Sequence, residues 1–170
     1  MATNYSYKFS LTAPTPPYKA VEPLFEHAYD EFTLNLPRDW KPAAPTAANA
    51  FDFVSEYGAA IAVSVDLRET PDGEQAALAE AVLDGRRQAM EQLAPGRVEV
   101  LHRTVKPHAG GAAQEAVFSA ELDGGSIYSC VAYVTSRKVI TFGLTSRAGR
   151  QRASDLFNNL VVRAYQPRLP

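Results

Sequence analysis

The sequence predicts an α+β protein in which a mostly antiparallel β-sheet is covered by two main helices. Two observations carry that prediction. Apolar residues recur at period two in one short stretch after another, and turn residues join those stretches at hairpin distance. Only residues 75–93 and 149–165 instead show the 3.6-residue spacing of an amphipathic helix. A length of 170 residues suits one domain.

The elements follow in order. Tyr5, Tyr7, Phe9 and Leu11 alternate, predicting a strand over 4–11. Pro14, Pro16, Pro17 and Pro23 keep residues 12–24 irregular, since each removes a donor and restricts its predecessor. Phe32, Leu34 and Leu36 mark a second strand, closed by Pro37, and a Pro/Ala-rich loop runs from Pro42 to Ala50. Phe51–Tyr57 and Ala60–Leu67 read as a hairpin joined at Gly58, with Ile61, Val63, Val65 and Leu67 on one face. Asp72-Gly-Glu should cap the helix that begins at Gln75, and Pro95-Gly96 stops it after Leu93. Its stripe is Ala79, Val82, Leu83, Ala89, Met90 and Leu93, interrupted by Arg86. Strands follow at Val98–Thr104, Ala116–Leu122, Ile127–Val134 and Val139–Thr145, with turns at Asp123-Gly-Gly and Ser136-Arg-Lys. The closing helix spans Gly149 to Tyr165, and Pro167 ends it. Trp40 reads as a core or hairpin-flanking anchor.

Composition excludes several function classes. Seventeen Lys+Arg against nineteen Asp+Glu give a net charge of −2, which exerts no general pull on nucleic acid or an anionic membrane. The single cysteine, Cys130, leaves no partner for a disulfide and no multi-thiolate metal site. His27, His102 and His108 are never three or four apart, so no helix face offers a histidine pair to zinc. Neither a nucleophile elbow nor a phosphate loop occurs. Cys130 with His102 could serve as nucleophile and base, but a mid-strand Cys130 reads first as a buried, inert thiol. His108, in a Gly-rich turn, reads as solvated. No enzyme activity, cofactor or metal is expected. The first residues lack a cationic region followed by an apolar run, and no stretch is long enough to span a bilayer, so the expectation is a cytoplasmic chain without membrane insertion.

Two features point to binding. Arg147, Arg150 and Arg152 cluster at the start of the last helix, where cations oppose the helix dipole. They read either as a solvated loop or as a site for an anion or acidic peptide. The second feature is the strand Ile127–Val134, which is apolar on both faces, with Tyr128 on one and Tyr133 on the other. A sheet apolar on both sides must be covered by helices, by extra chain or by a partner.

Phe32-Thr-Leu-Asn-Leu-Pro-Arg-Asp-Trp40, the hairpin ending in Ala60–Leu67, the helix 75–93, the long hairpin 125–145 and the closing helix together resemble the PsbP/DcrB-like superfamily. The resemblance covers residues 31–165 and leaves 1–30 as an N-terminal extension on or beside that single domain. It implies an α/β/α sandwich and, for the most part, binding in place of catalysis. Among the superfamily's branches, the Eag-type chaperones of bacterial type VI secretion are cytosolic and hold apolar helices of their clients on the sheet. The expected function is therefore a non-enzymatic protein-binding module, an adaptor or chaperone for an apolar helix or peptide of a secreted or membrane-destined client. Two alternatives stand beside it: a small-molecule or anion binder built on the arginine-rich turn, and a structural homodimer subunit. The resemblance assigns no functional residue. Tyr128, Tyr133, Arg147, Arg150 and Arg152 are the candidate binding residues.

Overall fold

Alternating apolar residues build two antiparallel sheets of unequal size, seen in a computed structural model that describes residues 23–111, 113–162, 165–167 and 169. The strands are β1 (Phe25–Ala28), β2 (Phe32–Leu36), β3 (Trp40–Ala43), β4 (Ala50–Ser55) and β5 (Ala60–Leu67), then β6 (Val98–Pro107), β7 (Gln114–Leu122), β8 (Ser126–Val134), β9 (Lys138–Ser146) and β10 (Tyr165–Pro167). Helix α1 (Gln75–Leu93) follows β5, and α2 (Arg150–Leu156) follows β9 and runs on as a π-helical segment, Phe157–Val162. The large sheet has the order β3-β4-β5-β9-β8-β7-β6; the small one is β1-β2-β10. Every pairing is antiparallel. The expected α+β class, a mostly antiparallel sheet with two helices, describes the molecule.

The large sheet has a core on each face. On one, Ile61, Val63, Phe53, Val131, Ile140, Phe142 and Leu144 meet Phe32, Leu34 and Leu36 of β2 and Phe157, Leu160 and Val161 of the π-helical segment. Phe32 is the keystone there, its ring edge-on to Phe142 at 5.5 Å between centroids. Trp40 belongs to this core, as expected. On the other face, Ala79 and Leu83 of α1 press on Phe118, Cys130, Ala132 and Val134. At about 25 cal/mol per Å² of apolar area, such two-sided burial is what holds a sheet this wide together.

The structure corrects several expectations. The cover on the β2 side is mainly a small sheet. Phe25–Ala28, within the N-terminal extension, contribute to it by pairing with β2. Pro42 and Ala43 sit within β3, where an edge position tolerates proline. Regular α-helix stops at Leu156, and Tyr165–Pro167 form a strand beside β2 instead of the last helical turn. No side chain caps α1, whose cap residue is Glu74. Leu93, counted in the buried stripe, is 74% exposed. The strand expected over 4–11 lies outside the described residues.

Candidate functional site

Coverage of the large sheet is unequal on its α1 side. Helix α1 packs on β6, β7 and β8. Strands lie about 4.8 Å apart, so these three span about 10 Å, one helix diameter. The remaining four strands, β9-β5-β4-β3, span about 14 Å, and among the described residues no helix lies over them on this side.

Register defines the floor of this open half. Three rows cross it on the α1 side: Val54–Ala60–Thr145–Tyr128, Asp52–Ala62–Gly143–Cys130, and Ala50–Ser64–Thr141–Ala132. Ala62 and Thr145 are exposed and Val54 is 45% exposed. Nearly every floor residue is small, which allows close approach of another backbone. Asp52 marks the far side, where Oδ2 accepts from the backbone N–H of Thr46 at 2.7 Å.

Tyr128 and Arg86 form the border with α1. The ring of Tyr128 lies over Gly143, and its hydroxyl hydrogen-bonds to the thiol of Cys130. Burial first, and the neighbouring Cys130 second, hold the Tyr128 hydroxyl protonated far above its ordinary range. Burial likewise pushes the Cys130 thiol up, against smaller opposing effects of the Tyr128 hydrogen bond and the Arg86 charge. Arg86 reaches β5, where its Nη2 donates to Ser64 Oγ at 3.4 Å. On the opposite flank of α1, Glu80 and Asp84 hold Arg103 of β6 at 2.5 and 2.8 Å. These contacts bracket the helix on both flanks, above the buried Ala79 and Leu83 that seat it on the sheet. Val82 and Ala89, four residues before and three after Arg86, share its flank and line the wall of the open half.

The predicted site residues do not converge. Tyr128 faces the α1 side at the border just described. Tyr133 faces the opposite side, in the core with Phe142, its ring 5.3 Å from that of His108; burial, then the Glu115 carboxylate, raise its hydroxyl well above the ordinary range. Arg150 is engaged by Glu121 and, at 2.6 Å, by Glu99. Arg147 and Arg152 are exposed. Helix α2 begins at Arg150, after its cap residue Gly149, and has seven residues, too short to build a strong terminal dipole. His108, expected in solvent, is half-buried. Cys130 and His102 lie on opposite faces, since Cys130 sits under α1 while His102 pairs with Ser119 on the other side. Sequence reasoning passed over Arg86, although its interruption of an apolar stripe was the available signal.

Among the described residues no group of three or more His, Cys, Asp or Glu is arranged to hold a metal ion, and no helix is long and apolar enough to cross a membrane. No protein-family model matches the chain, and no curated protein does. Solved structures do. The solution structure of cyanobacterial PsbP (CyanoP) from Synechocystis superposes with a TM-score of 0.59 at 14% identity, over 91% of this chain and 98% of that one. The chain thus has a PsbP-like fold. A crystal structure from Bacteroides thetaiotaomicron matches 81% of this chain and 45% of its own, at 14% identity and a TM-score of 0.40.

Proposed function

We propose that this chain is a non-enzymatic protein-binding module that holds an apolar helix of a client protein on the open half of its sheet. The observation that carries this reading is the stretch of β9-β5-β4-β3 beside α1, over which no described helix lies. Its width of about 14 Å accepts one helix packed against α1 at the usual 8–10 Å between axes. Its floor of Ala60, Ala62, Gly143 and Thr145 supports close packing, and Val54, Val82 and Ala89 give it apolar character. The thiol beside it, Cys130 under α1, is buried and held protonated, which suits a packing role better than a chemical one. The long sheet edge is a poorer docking place. Strand β6 presents Glu99, His102, Arg103, Thr104 and Lys106 and carries a bulge between Val100 and His102, devices that discourage strand addition. The resemblance of the sequence to the PsbP/DcrB-like superfamily, whose Eag-type branch holds apolar client helices on the sheet, favours a bacterial cytoplasmic adaptor or chaperone with a secretion-system client.

A fluorescent, Leu/Ala-rich helical peptide tests the reading. It should bind the native chain, and Ala62→Trp should weaken binding at least about tenfold, since the indole fills the floor. Thermal stability should stay within a degree or two because Ala62 is exposed. Failure of the peptide to bind, or binding indifferent to Ala62→Trp, contradicts the proposal.

A further inference from the structure

The charge inventory around the open half singles out Arg86. Among the described residues, Arg38, Arg87, Arg137, Arg147 and Arg152 also lack an ion pair, and all five are exposed. A solvated guanidinium needs no partner. Arg86 is different, being half-buried between α1 and β5 with one long hydrogen bond, 3.4 Å to Ser64 Oγ. A guanidinium carries five N–H donors in a planar fork, and its best match is a carboxylate held by two parallel hydrogen bonds. The nearest polar groups, Ser64, Tyr128 and Cys130, are all neutral, and the acidic residues of α1 next to it, Glu80 and Asp84, are turned to Arg103 on the far flank. The cation therefore faces a trough of mostly small side chains with its donors largely unmatched among the described residues: the floor's carboxylate, Asp52 of β4, accepts from the N–H of Thr46, and Asp66, further along β5, is 3.7 Å from Arg68.

We propose that Arg86 is a carboxylate hook: the helix that occupies the open half carries one Asp or Glu on its otherwise apolar face, and that carboxylate pairs with Arg86. The inference rests on the helix-holding reading above and adds the chemistry of the partner and its register. An acidic residue in an apolar helix is costly to bury unpaired. Arg86 reaches from the α1 wall to Ser64 of β5, a fixed point along the trough, so pairing is possible only when the occupant is set at one axial position. Packing on alanines and glycine supplies little registry by itself; the ion pair supplies it, a well-attested use of a single buried polar contact. It also rejects helices that lack the acid, because they leave the guanidinium desolvated without compensation.

Three peptides of one Leu/Ala-rich helical sequence, carrying Glu, Gln or Lys at a single central position, separate the outcomes. The native chain should bind the Glu peptide about tenfold more tightly than the Gln peptide. Arg86→Gln should abolish that preference, Arg86→Lys should keep part of it, and Arg86→Glu should transfer it to the Lys peptide. Circular dichroism of each variant establishes that it is folded. Equal binding of all three peptides, with Ala62→Trp still blocking them, overturns the hook and leaves the helix-holding reading standing. Absence of binding by any peptide overturns both. A stable dimer of the native chain in light scattering, lost in Ala62→Trp, identifies the occupant as a second copy and likewise overturns the hook.

Discussion

The ring of Tyr128 lies against the bare backbone of Gly143, so close that a methyl group on Gly143 would meet Tyr128 Cε2 and the hydroxyl oxygen at 3.0 Å. The two residues are diagonal neighbours on β8 and β9, Tyr128 standing opposite Thr145 and Gly143 opposite Cys130. The glycine is thus a seat for an aromatic ring, and the ring is the step that divides the covered half of the sheet from the open one. Gly143→Ala should destabilise the fold by about 1–3 kcal/mol through overpacking. Chemical denaturation of a double-mutant cycle checks the origin of the loss: in a Tyr128→Ala background the same change should cost much less. Equal losses in both backgrounds would refute the contact as the cause.

Lys138 and Glu31 tie the large sheet to the β1–β2 turn. The Lys138 side chain is 7% exposed and that of Glu31 31%, and the two form an ion pair. Removing the carboxylate strands a buried ammonium, whereas removing the ammonium leaves a carboxylate that water can reach. Glu31→Ala should therefore cost about 3–5 kcal/mol and lower Tm by roughly 6–20 °C. Lys138→Met should cost clearly less. Calorimetry of the two variants decides it, and the reverse order would show that the pair is not the strut described.

Alkaline pH should weaken the fold. Tyr128, Tyr133 and Cys130 all ionise later in the folded chain than their ordinary values of 10.0, 10.0 and 9.0, chiefly because they are buried. A group whose folded value is raised contributes fully below its unfolded value and loses that contribution as pH climbs past it. Stability should be flat in these groups up to about pH 9 and fall above it. Tyr133→Phe should flatten the fall; urea midpoints from pH 7 to 11 that decline identically with and without the phenol would contradict this.

Arg150 bridges Glu99 of β6 and Glu121 of β7 from the first turn of α2. Arg150 and Glu99 are exposed, and with Arg150 on the surface the screening of water and salt leaves these pairs little net worth, although the Glu121 side chain is 17% exposed. Arg150→Ala should leave Tm nearly unchanged at physiological salt, and any difference should vanish in 0.5 M salt, about the ionic strength at which the Debye length falls toward one ion diameter. A large, salt-independent loss would mean that this arginine has another role.

What the sequence made legible follows from how strongly local chemistry was punctuated. Helix α1 was readable to the residue because Asp72-Gly73-Glu74 precede its stripe and Pro95-Gly96 follow it. Strand β5 was equally clear, since Ile61, Val63 and Val65 alternate without a break. The last helix misled. Leu156, Phe157, Leu160 and Val161 fit a 3.6-residue period, but the chain widens into a π-helical segment at Phe157 to put Phe157, Leu160 and Val161 into the core together, and then pairs with β2. That widening is a tertiary choice that periodicity does not encode. Strand β3 was hidden by Pro42, which its edge position tolerates. Two-sided apolar strands did announce a sheet needing cover on both faces. Which half stays open was not legible, because it depends on where α1 lands, and that is set by Ala79 and Leu83 packing on Phe118, Cys130, Ala132 and Val134, residues far apart in sequence.

Backbone amide mapping by NMR puts the central claim to the most direct test. On titration with the Glu-bearing helical peptide, shifts should concentrate at Val54, Ala60, Ala62, Ser64, Gly143 and Thr145 on the floor and at Val82, Arg86 and Ala89 on the wall. Shifts gathered instead along β6, or on the β2 side around Phe32 and Phe142, would place the binding surface elsewhere and contradict the account.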